Sequence, residues 1–389
     1  MAGRSREKLE SVLSEMGKKA DKDLSKTPII IADVNDEKSL VEMAKQAKII
    51  VNCCGPFRYW GEQVVKACIE AGTHHVDVSG EPQYMAKIQL KYNDQAREKE
   101  VYIVSACGVE SIAAEMGIIY LQKQFNGTLN SVENFFYVYS VDPKIKFGAN
   151  YGTWASAVNV LFNENELKEI ERKLFPEPLP ELTPKLTNRG IIHQSEAVEN
   201  KWCILLPYPD KQVATRSQRF CFDKNRQRPA QIESYLVFDS VLLALVFSLV
   251  FFLSKFIVKF KFISKLLLKY PELFSLGYFS RSGPKEEQNE NLNFEMTCYG
   301  EGWNEKLAEP TDEYNFPLDK KMAVRIRGKN AGYGSTCVAL LLSARTILNE
   351  SLHMPEKGGV FTPGAAFANT TIIEKLQIND ITFELLKTR

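Results

Sequence analysis

Short apolar runs alternate with helix-like stretches over the first third of this 389-residue chain. The predicted strands cover residues 28–34, 48–54, 74–79 and 101–107, and the predicted helices cover residues 5–19, 36–46, 63–71, 82–98 and 111–124. Strands that read as continuous apolar and β-branched runs, separated by helices, predict a parallel sheet with helices on both faces. Because crossovers between parallel strands are right-handed, the expected fold class is α/β with a doubly wound sheet.

The loops at the carboxyl ends of these strands are the expected ligand crevice, since doubly wound sheets bind ligands there. They comprise residues 3–5, 33–35, 54–57, 79–81 and 107–110. Each loop holds small or polar residues, which permit a close approach of the backbone to a ligand. The sequence therefore predicts one binding site built from several separate loops.

The charge balance and the cysteine and histidine content argue against several classes of function. Forty-nine basic residues are matched by 48 acidic ones, so the net charge is +1 and no nucleic-acid partner is expected. The eight cysteines form no Cys-x-x-Cys pair, which is typical of reduced thiols in a protein that faces the cytosol. Four histidines without a ligand spacing predict that the chain holds no metal.

From residue 131 onward the strands become longer and the regular alternation ends. Further strands are predicted at residues 131–141, 201–209, 214–222, 293–302 and 321–328. Strands of this length suit a second α/β domain with a mostly antiparallel sheet. The expected division is a Rossmann-type domain over residues 1–128, a second domain over residues 129–331, and a closing segment over residues 332–389 that packs back on the first domain.

Residues 235–271 form an apolar and basic helical insert that does not fit a soluble domain. Residues 241–253 carry no charge, but this run is shorter than the about 20 residues that span a bilayer. At about 100° per residue, the lysines that follow share one sector and the large apolar residues the opposite one: Lys255, Lys259, Lys261, Lys265 and Lys269 against Phe256, Phe260, Ile263, Leu267 and Tyr270. A basic amphipathic helix is typical of a membrane interface, so the expected partner of residues 235–271 is a membrane or lipid-droplet surface. The alternative is a buried apolar helix followed by a surface helix with solvated lysines.

Several long strings occur in the order in which one known family has them. They are AGRSREKL at 2–9, VNCCGPFRYWGEQVVKAC at 51–68, VDVSGEP at 76–82, LGYFSRSGP at 276–284, AGYGST at 331–336 and GGVFTPGAAF at 358–367. On these strings the chain resembles, over nearly its whole length, the saccharopine dehydrogenase family and specifically the saccharopine dehydrogenase-like oxidoreductases of animals. The resemblance implies an NAD(P)-binding doubly wound domain, a second α/β domain and an oxidoreductase of unknown substrate associated with lipid droplets and other membranes. Related proteins include saccharopine reductases and bacterial trans-acting enoyl reductases of glycolipid synthesis.

The chain departs from this family in two places. Family members begin with a strand and a Gly-x-x-Gly-x-x-Gly turn, whereas residues 2–9 resemble the end of the second strand. We therefore expect an N-terminally truncated domain that leaves the apolar edges of strands 28–34 and 48–54 unpaired and binds a dinucleotide weakly or not at all. At residues 108–117 the family reads Gly-Phe-Asp-Ser-x-Pro-x-Asp-x-Gly, and here Glu110 replaces the first aspartate.

The resemblance places several residues against NAD(P). Arg4 and Ser5 lie where the adenosine 2′-phosphate would be held, and an arginine can bind a phosphate with two parallel hydrogen bonds, which favours NADP over NAD. Asp33 either contacts adenine or caps the helix that follows it. Residues 52–57 either pass beneath the nicotinamide ribose or make a tight turn without contact. The expected cofactor-binding residues are Arg4, Ser5, Asp33, Asn52, Gly55 and Pro56.

A reduction also needs a proton donor, because the cofactor supplies only the hydride. Tyr59, Asp77, Glu81 and Glu110 lie at the crevice, and no spacing singles out one of them, so the catalytic residue is left unassigned. Two functions remain. The first is an NAD(P)-dependent oxidoreductase acting on a small-molecule or lipid substrate at a membrane or lipid-droplet surface, and the second is a non-catalytic lipid-droplet protein that keeps the fold as a scaffold. The expected location is the cytosolic face of a lipid droplet or another intracellular membrane, with a mitochondrion as the alternative, and self-association is left open.

Overall fold

The first region of the chain folds as its alternation of strands and helices predicts. The structure is a computed structural model that describes residues 1–206, 209–307, 309–314 and 316–386. The elements of this region are β1 (Ala2–Gly3), α1 (Arg6–Ala20), β2 (Ile30–Ile31), α2 (Glu37–Ala44), β3 (Ile49–Asn52), α3 (Phe57–Ala71), β4 (His74–Asp77), α4 (Pro82–Glu98), β5 (Tyr102–Val104) and α5 (Val109–Gln124). β3, β4 and β5 pair in parallel, each joined to the next through a helix. The predicted α/β class with a Rossmann-type parallel sheet is confirmed.

The parallel strands of this region lie in two separate sheets. β1 pairs with β2, Ala2 opposite Ile30 and Gly3 opposite Ile31, whereas β3 is the edge of another sheet. Among the described residues no strand pairs with the outer edge of β3, and Val51 on that strand is 36% exposed. Apolar residues on an unpaired edge are open to association with another strand. The unpaired edge predicted for the strand at residues 48–54 is therefore present, whereas Ile30–Ile31 of the strand predicted at residues 28–34 pair with β1.

The remaining elements build a larger sheet and several helices around it. They are β6 (Thr128–Ser140), β7 (Ala149–Asn150), α6 (Tyr151–Phe162), α7 (Glu164–Leu174), β8 (Ile192–Ser195), β9 (Lys201–Leu205), α8 (Asp210–Asn225), β10 (Gln231–Phe238), α9 (Val241–Ile257), α10 (Lys261–Lys269), α11 (Pro271–Phe274), β11 (Phe279–Ser280), α12 (Glu286–Glu290), β12 (Leu292–Trp303), β13 (Lys320–Lys329), α13 (Gly334–Asn349), β14 (Gly359–Phe361), α14 (Pro363–Phe367), α15 (Ile372–Ile378) and β15 (Thr382–Leu386). The larger sheet has the order β15-β13-β12-β6-β10-β9-β8. Only β6 and β10 are parallel in it, so the mostly antiparallel sheet is confirmed.

The segment that follows β13 contributes to both sheets. β14 pairs in parallel with β5 and thereby extends the first sheet. β15 pairs with β13 at the edge of the larger sheet. Residues 332–386 therefore contact the parallel sheet through β14 and the larger sheet through β15.

The strand predicted at residues 214–222 is wrong, because these residues belong to α8. Their buried side chains, Ala214, Ser217 and Gln218, recur at helical spacing together with Val213. The stretch also contains one alanine, two arginines and one glutamine, which favour helix over strand. The aromatic residues at its end, Phe220 and Phe222 among them, misled the strand prediction, since aromatic residues are common in strands.

α5 lies in the middle of the largest hydrophobic core and is buried on nearly all sides. Ile112, Met116 and Leu121 are almost fully buried there, together with residues of β12 and β13. The helix approaches β12 so closely that a Cβ on Gly117 would lie 2.4 Å from Cys298 Sγ. A helix without a polar face fits between two layers, and this one connects the parallel sheet to the larger sheet.

The insert predicted at residues 235–271 begins later and has a different shape. Tyr235 is part of β10, where it is buried and stacks on Phe135 at 5.2 Å between ring centroids. The single basic helix expected after residue 254 is wrong, because α9 ends at Ile257 and α10 begins at Lys261. On α10, Leu267 turns inward and packs on α6 rather than outward. Within the described residues, no helix is long and apolar enough to cross a membrane.

Candidate functional site

The loop that follows β1 presents a free arginine and a helix cap. Ser5 is the N-cap of α1, and its Oγ accepts a hydrogen bond of 3.4 Å from the Lys8 amide. Arg4 is exposed, and its charge acts on Asp33 and on Cys54, so it lies near the loops after β2 and β3. In the described part of the chain Arg4 forms no ion pair or hydrogen bond. Its guanidinium therefore remains available for a ligand at this edge.

Asp33 stabilises its own turn rather than the following helix. Its Oδ1 accepts hydrogen bonds from the Asn35 amide at 2.9 Å and from Asn35 Nδ2 at 3.0 Å. The backbone amide of Asn35 is the main cause of the lowered pKa of Asp33, and Arg4 adds a smaller effect in the same direction. Asp36, not Asp33, caps α2. The contact of Asp33 with adenine, expected from the sequence, stays a prediction.

Asn52 is buried at the end of β3 and shapes the loop that leads to α3. Its Oδ1 accepts a hydrogen bond of 2.9 Å from the Cys54 amide, and its Nδ2 lies 3.3 Å from His75 Nε2. Burial lowers the pKa of His75, which keeps the imidazole neutral and able to accept from the amide. Gly55 is exposed, and Pro56 is the N-cap residue of α3. The loop is therefore rigid on its inner side and open at Gly55.

Glu81 occupies the amino end of α3 and is not free to act as an acid. Its two carboxylate oxygens accept hydrogen bonds of 2.9 Å from the Phe57 amide and 3.0 Å from the Arg58 amide. The hydroxyl of Ser156 donates a third bond of 2.7 Å. Because the first amides of α3 already bind this carboxylate, that helix end offers no anion site for a pyrophosphate. Glu81 instead ties α6 to the loop before α3.

Asp77 connects the ends of β4 and β5. Its carboxylate is fully buried and accepts hydrogen bonds from the Ser79 amide and hydroxyl, the Ala106 amide, the Ser105 hydroxyl and the Tyr84 hydroxyl, at 2.7–3.2 Å. Both carboxylate oxygens are occupied, Oδ1 by Ser79 and Ala106 and Oδ2 by Tyr84 and Ser105. Asp77 therefore holds the loops after β4 and β5 together.

Tyr59 lies on the first turn of α3 and contacts the second domain. Its hydroxyl donates a hydrogen bond of 2.8 Å to Asn159 Oδ1 on α6, while 46% of the residue is exposed. The phenol is therefore held in place at the rim of the crevice. It is the most open of the four acids considered from the sequence.

Two carboxyl groups, Glu110 and Asp210, share one environment beside the loop after β5. Burial raises the pKa of Asp210 to about 7, and burial followed by the charge of Asp210 raises the pKa of Glu110 well above its usual value. Ser111 donates a hydrogen bond of 3.0 Å to Asp210 Oδ1, and Asp210 Oδ2 has no partner among the described residues. Two neighbouring carboxyls that cannot both ionise hold a proton at neutral pH. Sequence reasoning missed Asp210 because its segment was taken to lead into a strand.

A second buried carboxyl lies on the same helix as Glu110. Burial raises the pKa of Glu115 to about 7. Ser217 donates a hydrogen bond of 2.5 Å to Glu115 Oε2 and lies 2.5 Å from Thr362 Oγ1. A Cβ on Gly364 would lie 1.7 Å from Glu115 Oε2, so only glycine fits there. No local sequence signal pointed to this cluster, because its members come from three distant segments.

These residues fit the adenosine 2′-phosphate of NADP better than its pyrophosphate. Arg4 is exposed and unpaired, which suits the 2′-phosphate. A pyrophosphate would cross the interval between β1 and β3, where the described residues contain no strand and no glycine-rich turn. Among the same residues there is also no cluster of histidine, cysteine or acidic side chains that could hold a metal.

Comparison with known proteins decides the family. The domain family described as "Saccharopine dehydrogenase NADP binding domain" matches residues 1–104. The saccharopine dehydrogenase-like oxidoreductase of Homo sapiens is 37% identical over 390 aligned residues, which cover 99% of this chain and 89% of that protein. The chain belongs to the saccharopine dehydrogenase-like oxidoreductase family. The resemblance stated from the sequence is confirmed, and the match of residues 1–104 supports NADP(H) as the cofactor.

Other members of the saccharopine dehydrogenase-like oxidoreductase family carry names that refer to a location. The "Lipid droplet localized protein" of Caenorhabditis elegans is 36% identical, with 99% of this chain and 90% of that protein covered. The "Probable mitochondrial saccharopine dehydrogenase-like oxidoreductase" of Arabidopsis thaliana is 33% identical, with 93% and 83% covered. Among solved structures, apo saccharopine dehydrogenase (L-Glu forming) of Saccharomyces cerevisiae matches with a TM-score of 0.53 at 10% identity, covering 99% of this chain and 93% of that one. That similarity supports the fold alone.

Proposed function

We propose that this protein is an NADP(H)-dependent oxidoreductase that acts on an apolar, lipid-like substrate at the cytosolic surface of a lipid droplet or another intracellular membrane. Membership of the oxidoreductase family and the NADP-binding domain support the class of reaction. The name of the C. elegans relative supports the location. The substrate class rests on the structure of the insert.

The observation that carries the proposal is the reversed polarity of α9. The side of this helix that faces the protein consists of Ala244, Ser248, Phe251 and Lys255, at helical spacing. Lys255 Nζ pairs with Glu164 Oε1 at 3.2 Å. Leucines and other large apolar residues cover the opposite side, with Leu242 at 66% and Leu249 at 61% exposed. In water such a helix would bury its leucines, since each contributes roughly 1.5–3 kcal/mol when buried, so this outer side favours an apolar environment.

More apolar residues are exposed next to α9, which extends the same surface. On and around α10 and α11, Phe260, Phe262 and Leu273 are each more than 60% exposed. The lysines at 259, 261, 265 and 269 are also exposed. We name the exposed apolar residues of 241–278 the apolar face. Exposed aromatics with neighbouring lysines are typical of contact with the headgroup region of a lipid surface.

One helix, α6, lies between the apolar face and the crevice. Trp154 Nε1 donates a hydrogen bond of 2.8 Å to the Leu267 carbonyl of α10. From the same helix, Ser156 binds Glu81 and Asn159 binds Tyr59, both beside the amino end of α3. A molecule that leaves a lipid surface at the insert would therefore reach the crevice across the width of one helix, about 10 Å.

The proton for a reduction is assigned to the Glu110–Asp210 pair. This pair holds a proton at neutral pH, whereas the carboxylate oxygens of Asp77 and Glu81 accept hydrogen bonds that hold loops together. NADP supplies the hydride when it is bound. Arg4 is the residue that would hold its 2′-phosphate.

A scaffold without catalysis is the second candidate. It is favoured by the engagement of Asn52, Asp77 and Glu81 in holding loops together. The two candidates share the lipid surface and differ in hydride transfer.

Flotation tests the lipid surface. The triple variant Leu245→Ser, Leu249→Ser and Phe252→Ser should lose most of its binding to triacylglycerol droplets coated with phosphatidylcholine. The matched control replaces three exposed apolar residues far from the insert in sequence, Leu341, Leu352 and Ile378, with serine. The control should float like the parent protein. Equal flotation of both triple variants would refute the apolar face as the lipid contact.

Hydride transfer separates the two candidates. NADPH deuterated at the nicotinamide C4 is incubated with the protein and a lipid extract, and the lipids are analysed by mass spectrometry. Deuterium should appear in a lipid product with the parent protein and be strongly reduced with Asp210→Asn. Absence of label at saturating NADPH would leave the scaffold as the better account.

A further inference from the structure

A cavity of about 580 Å³ lies apart from the crevice. We name it the arginine cavity, and it is enclosed by α4, α8 and the chain on both sides of β14. Its wall includes Met354 and Gly358, which precede β14. Because β14 runs parallel to β5, this wall reaches the amino ends of the parallel strands, opposite to the end where the crevice loops lie.

Arg216 on α8 is the polar centre of this cavity. It is 8% exposed, and its Nε donates a hydrogen bond of 3.0 Å to Gln89 Oε1, which its Nη2 also contacts. Burial lowers the pKa of Arg216 to about 10, so the guanidinium is still positively charged at neutral pH. The only hydrogen-bond partner of that charge in the described ranges is a neutral amide oxygen, and Nη1 has none.

A buried charge without a directly bonded counter-ion is costly. The charges of Glu171 and Glu115 act on Arg216, but neither carboxylate forms an ion pair with it among the described residues. Buried arginines are normally paired with a carboxylate or a phosphate. Arg216 lines the cavity, so its guanidinium is within reach of an anion bound there.

The rest of the lining adds positive charge. The ionised side chains along the wall are Arg97, Arg216, Arg219 and Lys224 against Asp223 and Glu356. Arg219 and Asp223 bind each other at 2.8 Å and contribute no net charge. Arg97 lies in the last turn of α4, is exposed, and has no ion pair in the described part of the chain. An anion in the cavity would thus face Arg216 inside and Arg97 at the rim.

The opposite side of the cavity is apolar and aromatic. Phe220 and Phe361 contact each other edge to face at 5.6 Å between ring centroids. Met354 and Val360 are buried and lie along the same wall. A cavity with one buried cation and an aromatic wall selects a molecule that has both an anionic and an apolar part.

We propose that the arginine cavity binds an amphipathic organic anion. Its carboxylate or phosphate head accepts hydrogen bonds from Arg216 Nη1 and Nη2, and its apolar part lies against Phe220 and Phe361. A guanidinium can donate two parallel hydrogen bonds to a carboxylate or to a phosphate. Either head group therefore fits Arg216.

Calorimetric titration of the full chain tests the proposal, with decanoate, decyl phosphate, decanol and inorganic phosphate as probes below their micellar concentrations. Decanoate or decyl phosphate should bind, and the tighter of the two identifies the head. Decanol should bind at least about tenfold more weakly, because it lacks the charge that Arg216 requires. Inorganic phosphate binding as tightly as decanoate would overturn the role of the apolar wall.

Variants locate the binding. Arg216→Met should weaken decanoate at least about tenfold, Arg216→Lys less, and the exposed control Arg345→Met not at all. If Arg216→Met does not fold, Arg97→Glu at the rim gives the same readout, since it places a negative charge at the entrance. Equal decanoate affinity in Arg97→Glu and the parent protein would refute the site. The triple serine variant of α9 should keep full decanoate affinity, so that failure here and failure of the lipid-surface proposal are distinguishable.

Discussion

Ser156 donates a hydrogen bond of 2.7 Å to Glu81, whose carboxylate also holds the first two amides of α3. This contact joins α6, the helix beneath the apolar face, to the loop that borders the crevice. A displacement of α6 therefore acts directly on the amino end of α3. The relationship gives a physical route by which lipid contact and the crevice are connected.

Glu81→Ala should lower the free energy of unfolding by about 2–4 kcal/mol, because it leaves two buried amides and one hydroxyl without an acceptor. Ser156→Ala removes one donor only and should cost about 1 kcal/mol. Urea denaturation followed by circular dichroism measures both. The control Glu42→Ala, at an exposed ion pair with Lys45, should change stability by less than about 0.5 kcal/mol. An effect of Glu81→Ala no larger than that of the control would contradict the cap.

The exposed lysines of the insert should matter on anionic surfaces. Lysine near a negatively charged leaflet contributes about 1 kcal/mol each. Replacing Lys259, Lys261, Lys265 and Lys269 with glutamate should therefore reduce binding to vesicles that contain phosphatidylserine by at least about tenfold. Arginine at the same four positions should preserve binding. The loss should also appear in the parent protein when salt is raised, because salt screens these contacts.

Glu115 should make stability depend on pH in an unusual direction. Its pKa is raised from 4.5 to about 7 in the folded chain by burial, so between these values the folded chain binds more protons than the unfolded one. Stability from this group is therefore fully present below pH 4.5 and declines as pH rises through 7. Glu115→Gln removes the dependence and should make the protein more stable than the parent at pH 8 by roughly 2–3 kcal/mol.

Thermal unfolding at pH 5 and pH 8 tests this expectation. The exposed variant Glu374→Gln is the matched control and should follow the parent protein at both values. A Glu115→Gln variant that is less stable than the parent at pH 8 would mean that the carboxylate is stabilised in the fold, contrary to its burial.

The parts of this fold that follow from local pattern could be predicted from the sequence, and the parts that depend on distant contacts could not. The strands at residues 48–54, 74–79 and 101–107 are apolar runs between helices, and each lies in the parallel sheet. The aromatic residues of α8 suggested a strand. The contact of Phe220 with Phe361 of β14, which α8 makes as a helix, has no local signal in the sequence. The prediction that lysines and apolar residues after residue 254 lie on opposite sides assumed one continuous helix. The break between Ile257 and Lys261 rotates the residues of α10 relative to those of α9.

The candidate site divides in the same way. The loops of residues 3–5, 33–35 and 54–57 were found because strand ends are visible in the sequence. The roles of Asn52 and Glu81 were not, since each is decided by hydrogen bonds to a neighbouring strand or to α6. The Glu110–Asp210 pair joins residues a hundred positions apart and appears only once α5 and α8 are packed.

Asp210 should titrate far above its ordinary value of 3.8, with a pKa of about 7. Ser111 lowers that pKa by donating to the carboxylate, so Ser111→Ala should raise it further. Nuclear magnetic resonance of protein labelled with ¹³C at the aspartate side chains measures the titration, and Asp210→Asn assigns the signal. A midpoint near 4 would remove the pair as a proton donor at neutral pH.

Arg4 should decide between the two nicotinamide cofactors. It is the unpaired cation at the end of β1, and the 2′-phosphate is the group by which NADPH differs from NADH. Saturation-transfer magnetic resonance, which detects strong differences in binding even between weak complexes, is the suitable measurement. The parent protein should prefer NADPH, and Arg4→Ser should bind both dinucleotides equally weakly. Arg6, two residues away, is engaged with Glu10 at 3.7 Å, so Arg6→Ser should keep the preference. Loss of the preference in both variants would show that the general positive charge of this turn, and not the position of Arg4, attracts the phosphate.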